Sequence, residues 1–284
     1  LCMFRKEDLR DLKLKLLREL GTILTLHPDL EWDLYFEFNR RFEVIRYLVK
    51  HVCNGVRVCD IGSQPFILAS MIKLLGYNVL SVDIEPSRYG EIARCFKIPV
   101  VKADLERDKI AIDNEACDCV IFTEVLEHLN PYYVHHTLAE INRVLKTDGL
   151  LILTTPNIAS FFRRLKLLLG KNPVYRYHAR EYVRDEVKRL LMDSGFKVLE
   201  LFYSDINDRT YLHPKNKQEL RKLTELERFT DMLRFTIRNI NTTNVIRTLA
   251  YPLLRFIPSY RMLIVAIAKK VGGVEKMEPI ERWG

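Results

Sequence analysis

The sequence lacks a long apolar run. A membrane-spanning helix needs about 20 consecutive apolar residues. The most apolar region, residues 245–268, is interrupted by Arg247, Arg255, Pro258 and Arg261. We therefore expect no transmembrane segment.

The N-terminal residues also lack the continuous apolar segment of a secretory signal peptide. Leu9, Leu12, Leu16 and Leu20 recur at helical spacing, with lysines and an arginine between them. This spacing predicts an amphipathic helix. We therefore expect no signal peptide and a cytoplasmic protein.

The six cysteines include no C-x-x-C pair, the spacing typical of zinc ribbons and dithiol redox sites. Cys59, Cys117 and Cys119 fall in segments with strand-like composition, where cysteine serves as a small apolar core residue. The cysteine usage indicates a reducing compartment, in line with a cytoplasmic location.

The chain has 284 residues, 48% of them hydrophobic, which is enough for one large α/β domain and an addition. Its formal charge of +8 is compatible with nucleic acid, an anionic membrane surface or a phosphorylated substrate. A basic surface that only contacts solvent is equally compatible. Peripheral contact with a membrane therefore stays open.

Strand-like and helix-like segments alternate in the middle of the chain, which predicts a parallel sheet with right-handed crossovers. Predicted strands are Val56–Cys59, Asn78–Val82, Val100–Lys102, Cys117–Phe122 and Gly149–Thr155. Predicted helices between them are Pro65–Leu75, Gly90–Cys95 and Tyr132–Leu145. Residues 9–51 are predicted to be helical throughout.

The pattern changes after Pro156. Two helices, Ser160–Leu169 and Glu181–Ser194, precede a strand at Phe196–Tyr203. A mostly helical stretch follows, from Tyr211 to about Pro258. We predict a last strand at Arg261–Lys270 and a disordered tail at Val274–Gly284.

The segment Val56–Pro86 has the layout of a nucleoside-binding unit: a strand, a turn, a helix and a second strand. Asp60 and Asp83 lie at the ends of the two strands. The first strand brings a glycine turn and a helix N-terminus to a ligand, and the second brings a carboxylate that can bind both ribose hydroxyls.

Several further motifs occur in a fixed order after this unit. They are Asp104, Phe122–Leu129 (FTEVLEHL), Arg143–Gly149 and Leu150–Asn157 (LLILTTPN). Together with Asp60-Ile-Gly62 and Asp83, they resemble the class I S-adenosylmethionine-dependent methyltransferases. The resemblance implies a Rossmann-like α/β fold: a seven-stranded sheet with its last strand antiparallel and helices on both faces.

The resemblance also implies domain boundaries and a cofactor, S-adenosyl-L-methionine. We expect an N-terminal helical segment at 1–52 and a cofactor-binding methyltransferase core at 53–205. A helical insertion at 206–258 (a lid or a surface), the last core strand at 259–272 and a tail at 273–284 follow.

The family pattern assigns cofactor contacts to ten positions: Asp60, Gly62, Ser63, Gln64, Asp83, Ile84, Asp104, Leu105, Thr123 and Glu124. Gly62 and Ser63 would approach the methionine part, Asp83 the ribose, and Asp104 with Leu105 the adenine edge. For Asp83 a simpler role as a turn or capping residue stays open, since Pro86 and Ser87 follow.

The glycine turn departs from the family. Where G-x-G-x-G is usual, this chain has Gly62-Ser63-Gln64-Pro65-Phe66, with Pro65 suited to the first turn of a helix. Either the turn still binds the cofactor, with Gln64 adding a contact, or binding is lost. A dinucleotide would need the second glycine for its pyrophosphate, so the turn disfavours a nicotinamide dehydrogenase.

The expected catalytic residues are Glu127, His128 and His178. The first two follow the fourth strand, which lacks the Asn/Asp-Pro-Pro-aromatic loop of methylases acting on base nitrogens. His178 lies in a cluster, 175–187, that also holds Glu181. A hydroxyl acceptor must lose its proton, and a histidine can take it.

Together with Glu124, these three residues resemble a metal-binding set of RNA 3′-terminal 2′-O-methyltransferases. In that family two glutamates and two histidines hold the metal. Glu124, Glu127, His128 and His178 match that set, and two carboxylates with two imidazoles suit Mg²⁺ or Mn²⁺. Metal-free relatives share E-x-x-E-H, so a divalent metal is not favoured and the metal ligands stay unknown.

Three functions follow. The first is O-methylation of a sugar, a lipid-linked glycan or another small hydroxylated acceptor, because Thr155–Pro173 resembles methyltransferases of polysaccharide and lipid-linked glycan synthesis. The second is metal-assisted RNA 2′-O-methylation. The third is a non-catalytic scaffold of the same fold.

The oligomeric state stays open. Four basic residues would meet phosphate, anionic lipid or only solvent: Arg163, Arg164, Lys166 and Lys171.

Overall fold

The computed structural model describes residues 6–21, 38–204 and 228–272, together with residues 23, 27, 30, 219, 222, 223 and 226. Its strands are β1 Arg57–Ile61, β2 Asn78–Asp83, β3 Val100–Lys102, β4 Cys117–Thr123, β5 Leu145–Pro156, β6 Phe196–Ser204 and β7 Leu263–Lys270. All seven belong to one sheet, in the order β3-β2-β1-β4-β5-β7-β6.

The sheet is mixed, as expected. β1 pairs in parallel with β2 and β4, and β7 runs antiparallel to both β5 and β6. The residues at the centre of β4, from Cys119 to Phe122, are fully buried, because a parallel strand covered on both faces needs a continuous apolar run. The predicted Rossmann-like fold with an antiparallel last strand is confirmed.

Helices cover both faces of the sheet. Their bounds are α1 Lys6–Glu19, α2 Phe38–His51, α3 Ile67–Leu74, α4 Gly90–Cys95, α5 Val134–Val144, α6 Phe161–Leu168, α7 Arg184–Asp193, α8 Phe229–Arg238 and α9 Thr242–Phe256. One core holds α1, α2 and α3, with Leu16 and Ile45 fully buried. The other holds α5 and α7, with Leu138 and Leu191 fully buried.

Some predicted boundaries were wrong. Pro65 lies in the turn before α3 rather than in its first turn, because Phe66 adopts a left-handed conformation (φ 65°) and the helix begins at Ile67. α7 begins at Arg184 because Tyr182 pairs with Asn157 in an isolated bridge and Val183 is extended. The predicted continuous helix over 9–51 fails at His27, which is not helical.

The expected insertion is represented in the structure by the hairpin of α8 and α9, which follows β6 and precedes β7. The five domain boundaries remain predictions. The predicted tail at Val274–Gly284 lies outside the described residues. Within the described part of the chain, no helix combines the length and apolar composition needed to cross a bilayer.

Candidate active site

A cavity of about 920 Å³ opens at the carboxyl ends of β1 and β4. In an open α/β sheet this edge, beside the point where the strand order reverses, is where ligands bind. Residues from α2 and α6 line the cavity together with the strand ends. Its volume lies in the range of small-molecule sites, about 300–1,000 Å³.

Nine of the predicted site residues line this cavity. They are Asp60, Gly62, Ser63, Gln64, Thr123, Glu124, Glu127, His128 and His178. The other four, Asp83, Ile84, Asp104 and Leu105, do not line it. These four follow or end β2 and β3, the two strands on the far side of β1.

The backbone conformation of the glycine turn explains why the turn forms with a single glycine. Gly62 has a φ of 74°, and a Cβ there would come within 2.2 Å of a methyl carbon of Val125. The backbone N–H of Gly62 also donates to Val82 at 2.9 Å, which fixes the turn against β2. The other left-handed position is taken by Phe66, whose ring is fully buried. The turn is therefore a variant with its own packing.

Asp60 is buried beneath this turn, and its Oδ2 has no hydrogen-bond partner among the described residues. Burial raises the pKa of its carboxyl to about 7, while a hydrogen bond from Ser63 and the charge of Arg41 act in the opposite direction. An unpartnered carboxylate oxygen beside a cavity is suited to a cationic ligand group, because burial of an unpaired charge is costly.

Asp83 instead has its carboxylate engaged by backbone amides. Its Oδ2 accepts from the N–H of Gln64 at 3.0 Å, and its Oδ1 from the N–H of Glu85 at 3.1 Å. The Gln64 side-chain amide donates to the Glu85 carbonyl, so Gln64 bridges the β1 turn and the end of β2. The turn role of Asp83 is therefore present. Each oxygen retains acceptor capacity for a ribose hydroxyl.

Asp104 has a similar role in the next turn, where its Oδ1 accepts from the N–H of Glu106 at 3.0 Å. Leu105 beside it is buried, whereas Ile84 is exposed. The structure does not bring these residues to the cavity. Their assignment to the adenosine part of the cofactor stays a prediction.

Glu124 is held by two partners at the end of β4. Its Oε2 accepts from Arg40 of α2 at 2.6 Å, and its Oε1 accepts from the Thr154 hydroxyl at 3.0 Å. The sequence interpretation missed Arg40. Its only signal was two adjacent arginines, Arg40 and Arg41, near the start of an amphipathic helix.

Glu127 is buried and accepts a hydrogen bond from the Thr155 hydroxyl at 3.1 Å. Burial raises the pKa of Glu127 well above its ordinary value, and the Glu124 carboxylate raises it further. The protonated form is thus favoured. The Glu127 carbonyl also accepts from the N–H groups of Ala179 and Arg180, which ties the segment carrying His178 to this turn.

His128 and His178 lie edge to face, with ring centroids 4.8 Å apart. His128 Nδ1 is 3.1 Å from the Tyr177 carbonyl oxygen. Because a carbonyl oxygen can only accept, Nδ1 is assigned the proton, and Nε2 keeps its lone pair. Burial lowers the pKa of His128, and the neighbouring His178 lowers it further, so the neutral ring is favoured.

Glu181 orients His178. Its buried Oε1 accepts from His178 Nδ1 at 2.8 Å, from Arg163 at 2.6 Å and from the N–H of Tyr175 at 3.0 Å. This assigns the Nδ1 proton of His178 and leaves its Nε2 as a proton acceptor. A base oriented by a carboxylate is the arrangement of catalytic histidines in hydrolytic triads.

Three of the four residues expected as metal ligands come together. One ligand atom each from Glu127, His128 and His178 lies within 4.8 Å of the others. Glu124 is not in this group, and it is held by Arg40 and Thr154 as described above. In both histidines Nδ1 faces an oxygen acceptor, the outer-shell pattern of metal-bound imidazoles.

The four basic residues around α6 separate into two kinds. Arg163 pairs with Glu181, and Arg164 lies over the Tyr260 ring at 5.4 Å. Lys166 and Lys171 line the cavity, and neither forms an ion pair with any residue that the structure describes. The cavity wall therefore carries unneutralised positive charge.

A family model described as a methyltransferase domain matches residues 4–201. Two curated proteins from two strains of Mycobacterium tuberculosis, both named probable S-adenosylmethionine-dependent methyltransferases, are 28% identical over 171 residues. The match covers 60% of this chain and 58% of theirs, so the chain spans somewhat more than half the length of these relatives.

Solved structures share the fold. A S-adenosylmethionine-dependent methyltransferase from Archaeoglobus fulgidus superposes with a TM-score of 0.55 at 19% identity, over 84% of this chain and 99% of that one. At this identity the likeness concerns the fold alone. The family resemblance is confirmed, and the expected cofactor is the one in the names of the curated relatives.

Proposed function

Because this chain belongs to the methyltransferase domain family, we propose that it transfers a methyl group from S-adenosylmethionine to a hydroxyl of a sugar, a lipid-linked glycan or another small acceptor. The observation that carries this proposal is the pair His178–Glu181 at the cavity, beside His128 and Glu127. A hydroxyl acceptor needs a positioned base, and this pair offers one.

The residues present fit the cofactor. The unpartnered Oδ2 of Asp60 suits an ammonium group, and Gly62 and Ser63 of the adjoining turn line the same cavity. When bound, S-adenosylmethionine supplies a methyl group on a positively charged sulfur. The chain's task is then to align the acceptor and exclude water.

His178 takes the role of base in this proposal. When S-adenosylmethionine is bound, its methyl group would pass from the sulfur to the acceptor oxygen, and His178 Nε2 would take the hydroxyl proton. The Glu181 carboxylate then stabilises the imidazolium. Two further groups can bind the methyl-accepting molecule. His128, favoured as a neutral ring, offers it a hydrogen-bond acceptor, and Glu127, favoured as a neutral acid, offers it a hydrogen-bond donor.

The test compares His178→Asn with His136→Asn. Asparagine keeps a donor toward Glu181 but has no counterpart of Nε2. We expect kcat of methyl transfer to fall about 100- to 1,000-fold in His178→Asn, with cofactor affinity unchanged. His136 is exposed and lies outside the cavity lining, so its variant should match the parent. Equal kcat in the two variants would remove the base role.

Metal-assisted methylation of an RNA 2′-hydroxyl is the second candidate, favoured by the convergence of Glu127, His128 and His178. These three residues would hold the divalent ion, which would supply Lewis acidity toward the acceptor oxygen. The Nδ1 contacts to Tyr177 and Glu181 would orient the two rings.

A chelator separates the two candidates. If a metal is required, methyl transfer to short RNA stops on chelation and returns with Mn²⁺, and calorimetry detects Mn²⁺ binding that is lost in His128→Asn. Transfer that is indifferent to chelator excludes the metal candidate. Absence of S-adenosylmethionine binding in calorimetry would exclude both and leave the non-catalytic scaffold.

A further inference from the structure

Helix α9 has its polar and apolar faces reversed relative to an ordinary surface helix. Its buried face carries polar side chains, among them Asn244, Arg247 and Thr248. Its exposed face carries large apolar ones, Val245, Ile246, Leu249, Leu253 and Phe256, and Ile257 follows just past the helix end. At about 100° per residue these six positions fall within an arc of about 120°. They form one stripe, in which Leu249 and Phe256 are the most exposed side chains.

Helix α8 repeats the pattern. Phe229, Leu233, Ile237 and Ile240 are exposed at i, i+4, i+8 and i+11, the last lying just past the helix end. Met232 and Phe235 are buried on the other side. A 2.6 Å hydrogen bond between Thr236 and Thr248 joins the two helices as a hairpin. Both stripes lie away from the buried side of that hairpin.

Helix α6 extends this apolar surface to the cavity. Leu167 and Leu168 are 65% and 83% exposed, while Lys166 and other residues of the same helix line the cavity. The ring of Phe161, at the start of α6, packs against Tyr260 with centroids 5.6 Å apart. Tyr260 lies in the turn Pro258–Tyr260 that follows α9, so α6 and the end of the hairpin adjoin.

The charge around the apolar stripes is mainly positive. Residues 229–262 contain one acidic residue, Asp231, and five arginines, of which Arg247 is buried and pairs with Glu219. Arg234 and Arg238 are exposed and form no ion pair with the described residues, as is the case for Lys166 and Lys171 beside the cavity. Apolar side chains flanked by unpaired cations match a surface that is both apolar and anionic.

We propose that the exposed apolar residues of α6, α8 and α9, which we name the docking surface, bind the face of an anionic lipid bilayer. Apolar side chains enter the boundary between headgroups and acyl chains, and the arginines contact lipid phosphates. A second copy of the chain fits less well, because a symmetric interface would set the arginines of two copies against each other. The cavity mouth beside α6 would then face an acceptor held in the membrane.

The test is co-sedimentation of the full chain with vesicles. Vesicles of phosphatidylglycerol and phosphatidylcholine in equal parts should bind it, vesicles of phosphatidylcholine alone should bind it at least about 10-fold more weakly, and added salt should weaken binding. The double variant Leu249→Glu with Phe256→Glu should lose binding, since both side chains are largely exposed, at 69% and 82%.

Met192→Glu is the matched control. Met192 is also exposed, at 56%, but lies near the end of α7, which leads to the start of β6, away from the cavity edge. It should leave vesicle binding unchanged. Circular dichroism and thermal melting check that each variant is folded. Arg234→Gln with Arg238→Gln should lower binding to anionic vesicles only.

Three outcomes would overturn the proposal. The first is equal vesicle binding by the parent and the Leu249→Glu, Phe256→Glu variant, and the second is no vesicle binding by the parent. The third is a dimer in analytical ultracentrifugation that this variant dissociates, which would assign the surface to a second copy. None of these outcomes bears on methyl transfer, so the proposed function would stand or fall separately.

Discussion

Four of the acidic residues predicted for the site form two pairs that differ in how their charge is accommodated. Asp83 and Asp104, beyond the cavity, accept hydrogen bonds from backbone amides in tight turns. Asp60 and Glu127, at the cavity, are buried, and burial raises the pKa of both. The first pair shapes the backbone. The second pair is held in an unfavourable environment, which is common where ligands bind and chemistry occurs.

The largest expected effect comes from Asp60→Asn. The pKa of Asp60 is about 7 in the fold against 3.8 ordinarily, so the unfolded chain loses this proton first as pH rises from about 4. Stability therefore falls between about pH 4 and 7 and stays lower above it, by up to about 4 kcal/mol. Removing the charge should stabilise the ligand-free protein at pH 8 and change nothing at pH 4.

Urea unfolding of Asp60→Asn and the parent at the two pH values measures this difference. Cofactor binding should change in the unfavourable direction. Calorimetry should show the affinity for S-adenosylmethionine reduced about 10-fold or more in the variant, because a charged partner for the ammonium group is lost. A variant that is less stable at pH 8 would contradict the assignment of Asp60 as a buried, uncompensated carboxyl.

Asp83→Ala is expected to have the next largest effect. It tests the pair of carboxylates that accept hydrogen bonds from backbone amides. It removes the acceptor for two backbone N–H groups and the expected partner of the ribose. We expect cofactor affinity to fall about 100-fold, or ~3 kcal/mol. Calorimetry measures this affinity. Asp104→Ala, which removes the matched turn carboxylate, is the comparison, and we expect it to lower the affinity less than Asp83→Ala does. Unchanged affinity in Asp83→Ala would leave Asp83 with its turn role alone.

Glu127→Gln should have the smallest effect. Because burial favours the protonated acid, a neutral isostere that still accepts from Thr155 replaces it with little change. We expect stability within about 1 kcal/mol of the parent and kcat within about 10-fold. A large loss of kcat at unchanged stability would show that Glu127 acts as an anion, and would favour the metal candidate.

Much of the fold was predictable because the strands carry a strong signal. β3 and α4 have the predicted bounds, most other elements shift by a few residues, and the continuous helix predicted over 9–51 fails at His27. The shifts have local causes, such as the left-handed Phe66 that delays α3. Order along the chain and right-handed crossovers predicted the parallel part of the sheet, and the family resemblance implied seven strands with the last one antiparallel.

The site was only half predictable. The structure brings Glu127, His128 and His178, which the motifs singled out, to one cavity, and their catalytic role stays a prediction. The motifs did not indicate that Arg40, 84 residues before Glu124 in the chain, would hold that carboxylate. Nor did they reveal the role of Glu181, which depends on the simultaneous approach of Arg163 and His178.

The sequence alone indicated the alternation of strands and helices, because that depends on local periodicity, and its motifs carried the resemblance that implied the methyltransferase fold. Tertiary structure decided which carboxyls are buried and which imidazole nitrogens are available. It also decided that Leu233 and Ile240, apolar positions of the predicted insertion, are exposed. Burial and charge pairing depend on neighbours distant in the chain, and a sequence pattern does not contain them.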